Sequence, residues 1–176
     1  DLVLMDLLMP TMDGGEATRQ IMLRSPCAIL IVTASPAEHT SKVFEAMGHG
    51  ALDVVATPSL GRDGTVNLSE MAQPLLAKMD TTAACTGRVL RRSRQHTASR
   101  SPASATPMPV LPNLFVIGAS TGGPKAIAKI LSALTPSCRA AIVVVQHIDQ
   151  QFAGGFADWL NGQTALPVKL IQPGDS

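Results

Sequence analysis

A serine stands among small residues in the stretch LFVIGASTGGPKAI, residues 114–127. Gly118 and Gly122 flank Ser120, and Gly123 follows, so the stretch fits the pattern G-x-S-x-G. A serine hydroxyl becomes an effective nucleophile when a neighbouring base removes its proton. Small neighbours leave room for a substrate and for oxyanion-binding donors. The pattern therefore predicts nucleophilic chemistry at Ser120.

The elements around this serine fit a turn between a strand and a helix. The run LFVIG predicts a strand, and PKAIAKILSAL predicts a helix with Pro124 in its first turn. A helix N-terminus offers free N–H groups and positive potential to a developing oxyanion. The same small residues also resemble the pyrophosphate-binding turn of short-chain dehydrogenases, and a third interpretation is a purely structural turn. The stretch alone does not separate the three.

A histidine at the end of the next predicted strand favours the first interpretation. The run AIVVVQHID ends in Gln146 and His147, whereas a dinucleotide-binding fold places an acidic or basic residue there. Neighbouring parallel strands end at the same edge of a sheet, and His147 follows Ser120 by 27 residues, which fits a strand–helix–strand unit. We therefore expect His147 to approach Ser120 as a general base. A histidine with a purely structural role is the alternative.

An aspartate ends an apolar run near the start of the chain. Asp6 follows LVLM, and the carboxyl ends of parallel strands form the ligand crevice of α/β folds. The loop DLLMPTMDG resembles the phospho-acceptor loop of bacterial response-regulator receiver domains, and IVTAS and GALDVVATP match that family in register. The resemblance covers residues 1–79. It implies that Asp6 is phosphorylated, that the Leu8 carbonyl helps to hold Mg²⁺, and that Thr33 is the switch hydroxyl.

This chain departs from the receiver pattern in three respects. Thr57 stands where the family has a lysine, and Val54 stands where it has an aromatic residue. The family's acidic pair, which supplies other magnesium ligands, would precede Asp1. Since Thr57 brings no positive charge to the phosphoryl site, we expect slow phosphorylation.

Strands and helices alternate in two parts of the chain, which predicts parallel sheets with helices on both faces. The predicted fold class is α/β, with two truncated, doubly wound domains at residues 1–79 and 113–176. The second includes a short strand at VKLI, residues 168–171. Residues 80–112, rich in Ser, Thr, Ala, Pro and Arg, are predicted to be a flexible linker. Because the chain starts inside a strand-like run and its last residues, IQPGDS, stop without a closing element, we expect it to be part of a longer protein.

The composition excludes several functional classes. Hydrophobic residues make up 45% of the chain and charged residues 15%, and a net charge of +1 gives no argument for binding nucleic acid. No apolar run reaches the roughly 18 residues of a membrane span, so no membrane insertion is expected. Cys27, Cys85 and Cys138 have no CxxC spacing and fit a reducing cytoplasm, where we expect the protein to act. The arginines of the predicted linker lack interleaved aromatic residues and predict a solvated segment.

Three segments together resemble the catalytic domain of the CheB family of chemotaxis methylesterases: IGASTGGPKAI, VVVQHIDQQFAGGFADWLN and PGDS. That family joins a receiver, a linker and a methylesterase domain in the order predicted here. The resemblance implies hydrolysis of glutamate methyl esters and deamidation of glutamines on chemoreceptors, without a cofactor. It also implies phosphorylation of the receiver by the chemotaxis histidine kinase CheA.

Carried over to this chain, the resemblance makes Ser120 the nucleophile and His147 the general base, with Thr121 in the same active-site turn. The third member of the family's triad is an aspartate expected beyond Ser176, so this chain alone should be nearly inactive. Two alternatives remain: a non-catalytic receiver-type docking module and a nucleotide-binding oxidoreductase. The Gln146–His147 strand end argues against the oxidoreductase.

Overall fold

Five strands form two parallel sheets in a computed structural model that describes residues 1–34, 38–58, 68–92 and 113–175. The first sheet has the order β1-β2-β3 and the second pairs β4 with β5. The strands are β1 (Leu2–Asp6), β2 (Ala28–Thr33), β3 (Asp53–Ala56), β4 (Leu114–Ala119) and β5 (Ala141–Gln146). The helices are α1 (Gly14–Arg24), α2 (Thr40–His49), α3 (Leu68–Arg92), α4 (Gly123–Ser132) and α5 (Ala153–Gln163), the last preceded by a 3-10 turn at Gln150–Phe152. The predicted α/β class is confirmed.

The central strand of the first sheet is covered on both faces. Ile29, Leu30 and Ile31 are consecutive residues of β2 with no exposed surface, although alternate side chains point to opposite faces. Helix α3 packs against β2 and β3, while α1 and α2 pack against each other. A continuous apolar run therefore forms a strand here because helices exclude water from both sides.

Helix α1 begins where a side chain satisfies its first free amides. Asp13 Oδ1 accepts the backbone N–H of Glu16 at 2.9 Å, and the Asp13 backbone is extended, as an N-cap requires. That hydrogen bond, with a smaller contribution from Lys42, holds the pKa of the Asp13 carboxyl below its usual value. Glu16 in the first turn is paired with Arg19, which lowers the pKa of Glu16 to about 2. The loop that follows Asp6 therefore ends in a well-defined helix start.

The second sheet is covered on one face. Ile117, Ala119, Ile142 and Val144 pack against the core that α4 and α5 help to form. Alternation places Val116 and Val145 on the opposite face, where they are 63% and 59% exposed.

An aromatic cluster joins the two halves of the chain. The ring of Phe44 on α2 lies 5.3 Å from that of Phe156 and 5.8 Å from that of Trp159, both on α5. Phe44 is fully buried, and α2 packs against both α4 and α5. The buried face of α2 therefore serves the contact between the halves as well as the first core.

Two predictions about secondary structure are corrected. Residues 168–171, VKLI, form no strand; the Val168 N–H donates to the Asn161 side chain instead of to a neighbouring strand. Helix α3 runs through Pro74 and continues to Arg92, so residues 80–92 are helical rather than linker. Alanine, leucine and arginine are good helix formers, which favours this extension. Residues 93–112 of the predicted linker lie outside the described residues, and the domain boundaries stay predictions.

Within the described part of the chain, no helix is both long enough and apolar enough to cross a membrane.

Replacing Asp13 by alanine is expected to lower the free energy of unfolding by about 1 kcal/mol at pH 7, since the cap is lost. Asp13→Asn should keep most of this stability, because an amide oxygen also accepts the Glu16 N–H. Since the folded-state pKa of Asp13 is depressed, the ionised carboxylate stabilises at neutral pH, and this contribution is lost as pH falls below the ordinary aspartate range. Urea unfolding of the three proteins at pH 7 and pH 3 tests this. An alanine variant as stable as the wild type at pH 7 would contradict the cap.

Truncating Phe44 to alanine is expected to cost about 3–5 kcal/mol of unfolding free energy, as for other buried aromatic residues. Trp159 is the single tryptophan, so its emission should also shift to the red as water reaches the contact between the halves. Phe115→Ala is the matched control, since that ring is 57% exposed on β4. Unchanged Trp159 emission in folded Phe44→Ala protein would contradict the packing of α2 on α5.

Candidate active site

Strand register brings the predicted serine and histidine together. Ala119 of β4 pairs with Gln146 of β5, so Ser120 and His147 follow at equivalent positions on the carboxyl edge of the second sheet. The Ser120 Oγ lies 3.3 Å from the His147 Nδ1. The His147 N–H also donates to the Ala119 carbonyl at 2.8 Å, which continues the ladder past the strand ends. Both side chains are exposed, so a substrate in solution has access to them.

The ring nitrogen that faces the serine determines which tautomer of His147 can accept a hydrogen bond from Ser120. For the Ser120 hydroxyl to donate to His147 Nδ1, the neutral ring must carry its proton on Nε2. Two acids of this half of the chain accept hydrogen bonds from main-chain N–H groups. Asp149 accepts the Gln151 N–H at 3.1 Å and Asp175 accepts the Gln172 N–H at 3.0 Å. From the sequence, likewise, the aspartate that orients the histidine is expected beyond Ser176.

The glycines of the turn have different roles. Gly122 has φ +76°, a left-handed conformation that favours glycine, and its N–H donates to the Leu52 carbonyl at 2.7 Å. The Gly123 N–H donates to the Ser120 carbonyl at 2.7 Å and begins α4. At Gly118 a side chain would meet open space, so packing does not require glycine there.

The side chain of Gln146 connects the main chains of the serine and the histidine, a role that the sequence did not predict. Its Nε2 donates to the Ser120 carbonyl at 2.9 Å and to the His147 carbonyl at 3.2 Å. Its Oε1 is buried without a hydrogen-bond partner. A Cβ on Gly123 would overlap this oxygen and lie 2.8 Å from the Cβ of Ala119, so the glycine makes room for the amide. Strand alternation could have indicated that Gln146 points toward α4, but not which groups it contacts.

The first half of the chain also contacts the serine turn. Asp53, buried at the start of β3, accepts the Thr121 hydroxyl at 3.2 Å and pairs with the Lys78 Nζ at 2.6 Å. Together with the Leu52 carbonyl, this carboxylate fixes the turn from the side opposite β5. The contact was not predicted, because it joins residues 68 positions apart in two different sheets.

The predicted receiver residues lie on the carboxyl edge of the first sheet. Asp6 ends β1 and is exposed, and it pairs in register with Val32, the residue before Thr33. Thr33 is buried at the end of β2, and its carbonyl accepts the Thr57 N–H at 2.8 Å. The Leu8 N–H lies 3.4 Å from Asp6 Oδ1. The three strand ends therefore form one edge, with Asp6 accessible from solvent.

The described residues do not make a magnesium site by themselves. Mg²⁺ prefers about six oxygen ligands in octahedral geometry, and the resemblance assigns only the Asp6 carboxylate and the Leu8 carbonyl. Within the residues that the structure describes, no cluster of three or more histidine, cysteine or acidic side chains could hold a metal ion. Magnesium binding therefore stays a prediction.

Comparison with known proteins finds a family match over the segment that carries this pair. Residues 115–176, which contain both Ser120 and His147, match the family model described as CheB methylesterase. Residues 115–176 of the chain are thus similar to the CheB methylesterase family. A protein from Burkholderia thailandensis named protein-glutamate methylesterase/protein-glutamine glutaminase 4 is 52% identical over 99% of this chain and 48% of its own length. A Pseudomonas syringae pv. tomato protein of the same name, numbered 3, is 48% identical over the whole chain and 50% of its own length.

The chain thus spans about half the length of the curated relatives it matches. The family resemblance predicted from the sequence is confirmed across nearly all of its residues. Among solved structures, the response regulator domain of Thermotoga maritima CheB is similar with a TM-score of 0.38 and 28% identity, covering 47% of this chain and 60% of that domain.

Proposed function

We propose that this chain carries the nucleophile and the base of a protein-glutamate methylesterase that also deamidates glutamines. The observation that carries the proposal is the 3.3 Å approach of Ser120 Oγ to His147 Nδ1 at the end of two paired strands. The names of relatives about 50% identical to the chain support the substrate class. The proposed substrates and partners are chemoreceptors that carry methylated glutamates.

The proposed reaction needs no group beyond the side chains and water. His147 Nδ1 takes the Ser120 proton as Oγ attacks the ester carbonyl, and the oxyanion forms near the N-terminus of α4. The tetrahedral intermediate expels the methoxy group, which receives the proton from His147 and leaves as methanol. Water then attacks the acyl-enzyme while His147 removes its proton, which releases the glutamate and restores Ser120. With a glutamine substrate, ammonia leaves in place of methanol.

Regulation through the first half is part of the proposal. Asp6 would accept a phosphoryl group, donated in the cell by the histidine kinase CheA. Strand β3 joins the two sites physically: its end lies beside Thr33, and its first residue, Asp53, accepts the Thr121 hydroxyl. A change at the phosphoryl edge thus has a short route to the serine turn, along β3 and through the hydrogen bond between Asp53 and Thr121.

In the complete gene product, Ser120→Ala is expected to reduce methanol release from methylated receptors by about 10³-fold or more, because the covalent route is lost. His147→Gln should cost nearly as much, and the double variant should add little, since the two residues act as a unit. Ser132→Ala is the control, because that serine is exposed on α4 and contacts only its own helix. Equal rates for the wild type and Ser120→Ala would exclude the serine as nucleophile.

Asp6 is expected to be the phosphoryl acceptor, with slow labelling because Thr57 brings no positive charge. The measurement is incorporation of phosphate from acetyl phosphate in magnesium-containing buffer, followed by mass spectrometry. Asp6→Asn should abolish the label, whereas Asp13→Asn, in the same loop, should keep it. Label that persists in Asp6→Asn would remove Asp6 from the proposal, and labelling as fast as in a lysine-containing receiver would show that Thr57 is not limiting.

A further inference from the structure

We propose that Gln146 is the positioning residue of the Ser120–His147 pair, its side-chain amide holding together the two chain segments that carry the nucleophile and the base. This rests on the proposed function, because it assumes that the pair reacts. Gln146 is not the base, nor does its amide contact the reacting atoms; it acts on the main chain of its two neighbours.

The Gln146 amide connects Ser120 and His147, which lie just beyond the last residue pair of the strand ladder. The ladder ends at the Ala119–Gln146 pair, with one further bond from the His147 N–H to the Ala119 carbonyl. Beyond that point, each chain turns away into its own loop. The two Nε2 hydrogens of Gln146 reach the Ser120 and His147 carbonyls at 2.9 and 3.2 Å. One planar group therefore fixes both carbonyls relative to each other.

The orientation of this amide is determined by its surroundings. If the amide were reversed, Oε1 would face two carbonyl oxygens, neither of which can donate a hydrogen bond. In the observed orientation, Oε1 is buried with no partner, next to the start of α4. A buried polar atom without a partner calls for an explanation, because an apolar side chain of the same length would avoid it. The explanation we draw is that both donors are required at the site.

The functional consequence follows from the long contact between the serine and the histidine. A hydroxyl 3.3 Å from its base lies near the outer limit of a useful hydrogen bond, so a small separation of the two segments breaks it. Such a displacement should slow the chemical step without changing how a substrate binds elsewhere. The expected signature is thus a fall in kcat with an unchanged KM.

The first test needs no catalytic activity. In the 176-residue chain, nuclear magnetic resonance should show the side-chain amide protons of Gln146 exchanging with water at least about tenfold more slowly than those of Gln163, which is exposed at the end of α5. Gln146→Met identifies the resonances by removing them. Equal exchange rates at the two glutamines would overturn the proposal, whatever the enzyme does.

The second test uses the complete gene product and methanol release. Gln146→Met, which keeps the length but loses both donors, should lower kcat by about 10- to 100-fold with KM within twofold. Gln146→Glu should lose at least as much at pH 8, because its carboxylate faces two carbonyls. It should recover relative to the wild type as pH falls toward 5, because the protonated acid donates one hydrogen bond. Gln163→Met is the matched control and should behave as the wild type.

The outcomes separate the two proposals. An unchanged kcat in Gln146→Met, or a loss confined to KM, overturns the positioning role while leaving the esterase proposal intact. A wild-type protein that releases no methanol overturns the proposed function, and the amide exchange in the chain then still decides whether the two segments are held together. If Gln146→Met does not fold, the same exchange measurement on the wild type decides.

Discussion

The candidate site depends first on the parallel pairing of β4 with β5. Because Ala119 opposes Gln146, the next residue on each strand falls at the same edge, and a nucleophile and a base meet without any long loop between them. A slip of one residue in this register would move His147 along the strand direction by about 3.3 Å and break its contact with the Ser120 hydroxyl. The apolar residues that hold the register, Ile117 and Val144 among them, therefore contribute to the chemistry as well as to the core.

Residues of the first half of the chain also contact the candidate site. Phe44 packs on α5, whereas Leu52 and Asp53 contact the turn itself. The aromatic cluster supplies apolar burial, which is not directional, and the two polar contacts set the relative orientation of β3 and the start of α4. A change in the first half that tilts β3 would consequently move Thr121 even if the aromatic packing is unchanged.

The sequence predicted the two strands that carry Ser120 and His147 and the closeness of these residues, since both follow from apolar runs and from the geometry of parallel strands. The sequence predictions were wrong where contacts between distant elements determine the secondary structure. The run VKLI has the composition of a strand but pairs with none in the described chain. Helix α3, which packs against the first sheet, continues through residues 80–92, where a linker was predicted. The contacts of Gln146 could not be predicted, because strand alternation gives the face of a side chain but not the main-chain groups above it.

A reactive serine–histidine pair has two separate structural requirements. The first is that the two main chains stay at a fixed distance, and the strand ladder, the Gln146 amide and the Leu52 carbonyl provide this. The second is that the imidazole keeps one tautomer and one orientation, which usually needs a carboxylate on the ring nitrogen away from the serine. With Asp149 bonded to a nearby main-chain amide, the described residues meet the first requirement and not the second. Because the two requirements are physically independent, the serine and the histidine can be held at a fixed distance even where no carboxylate orients the imidazole.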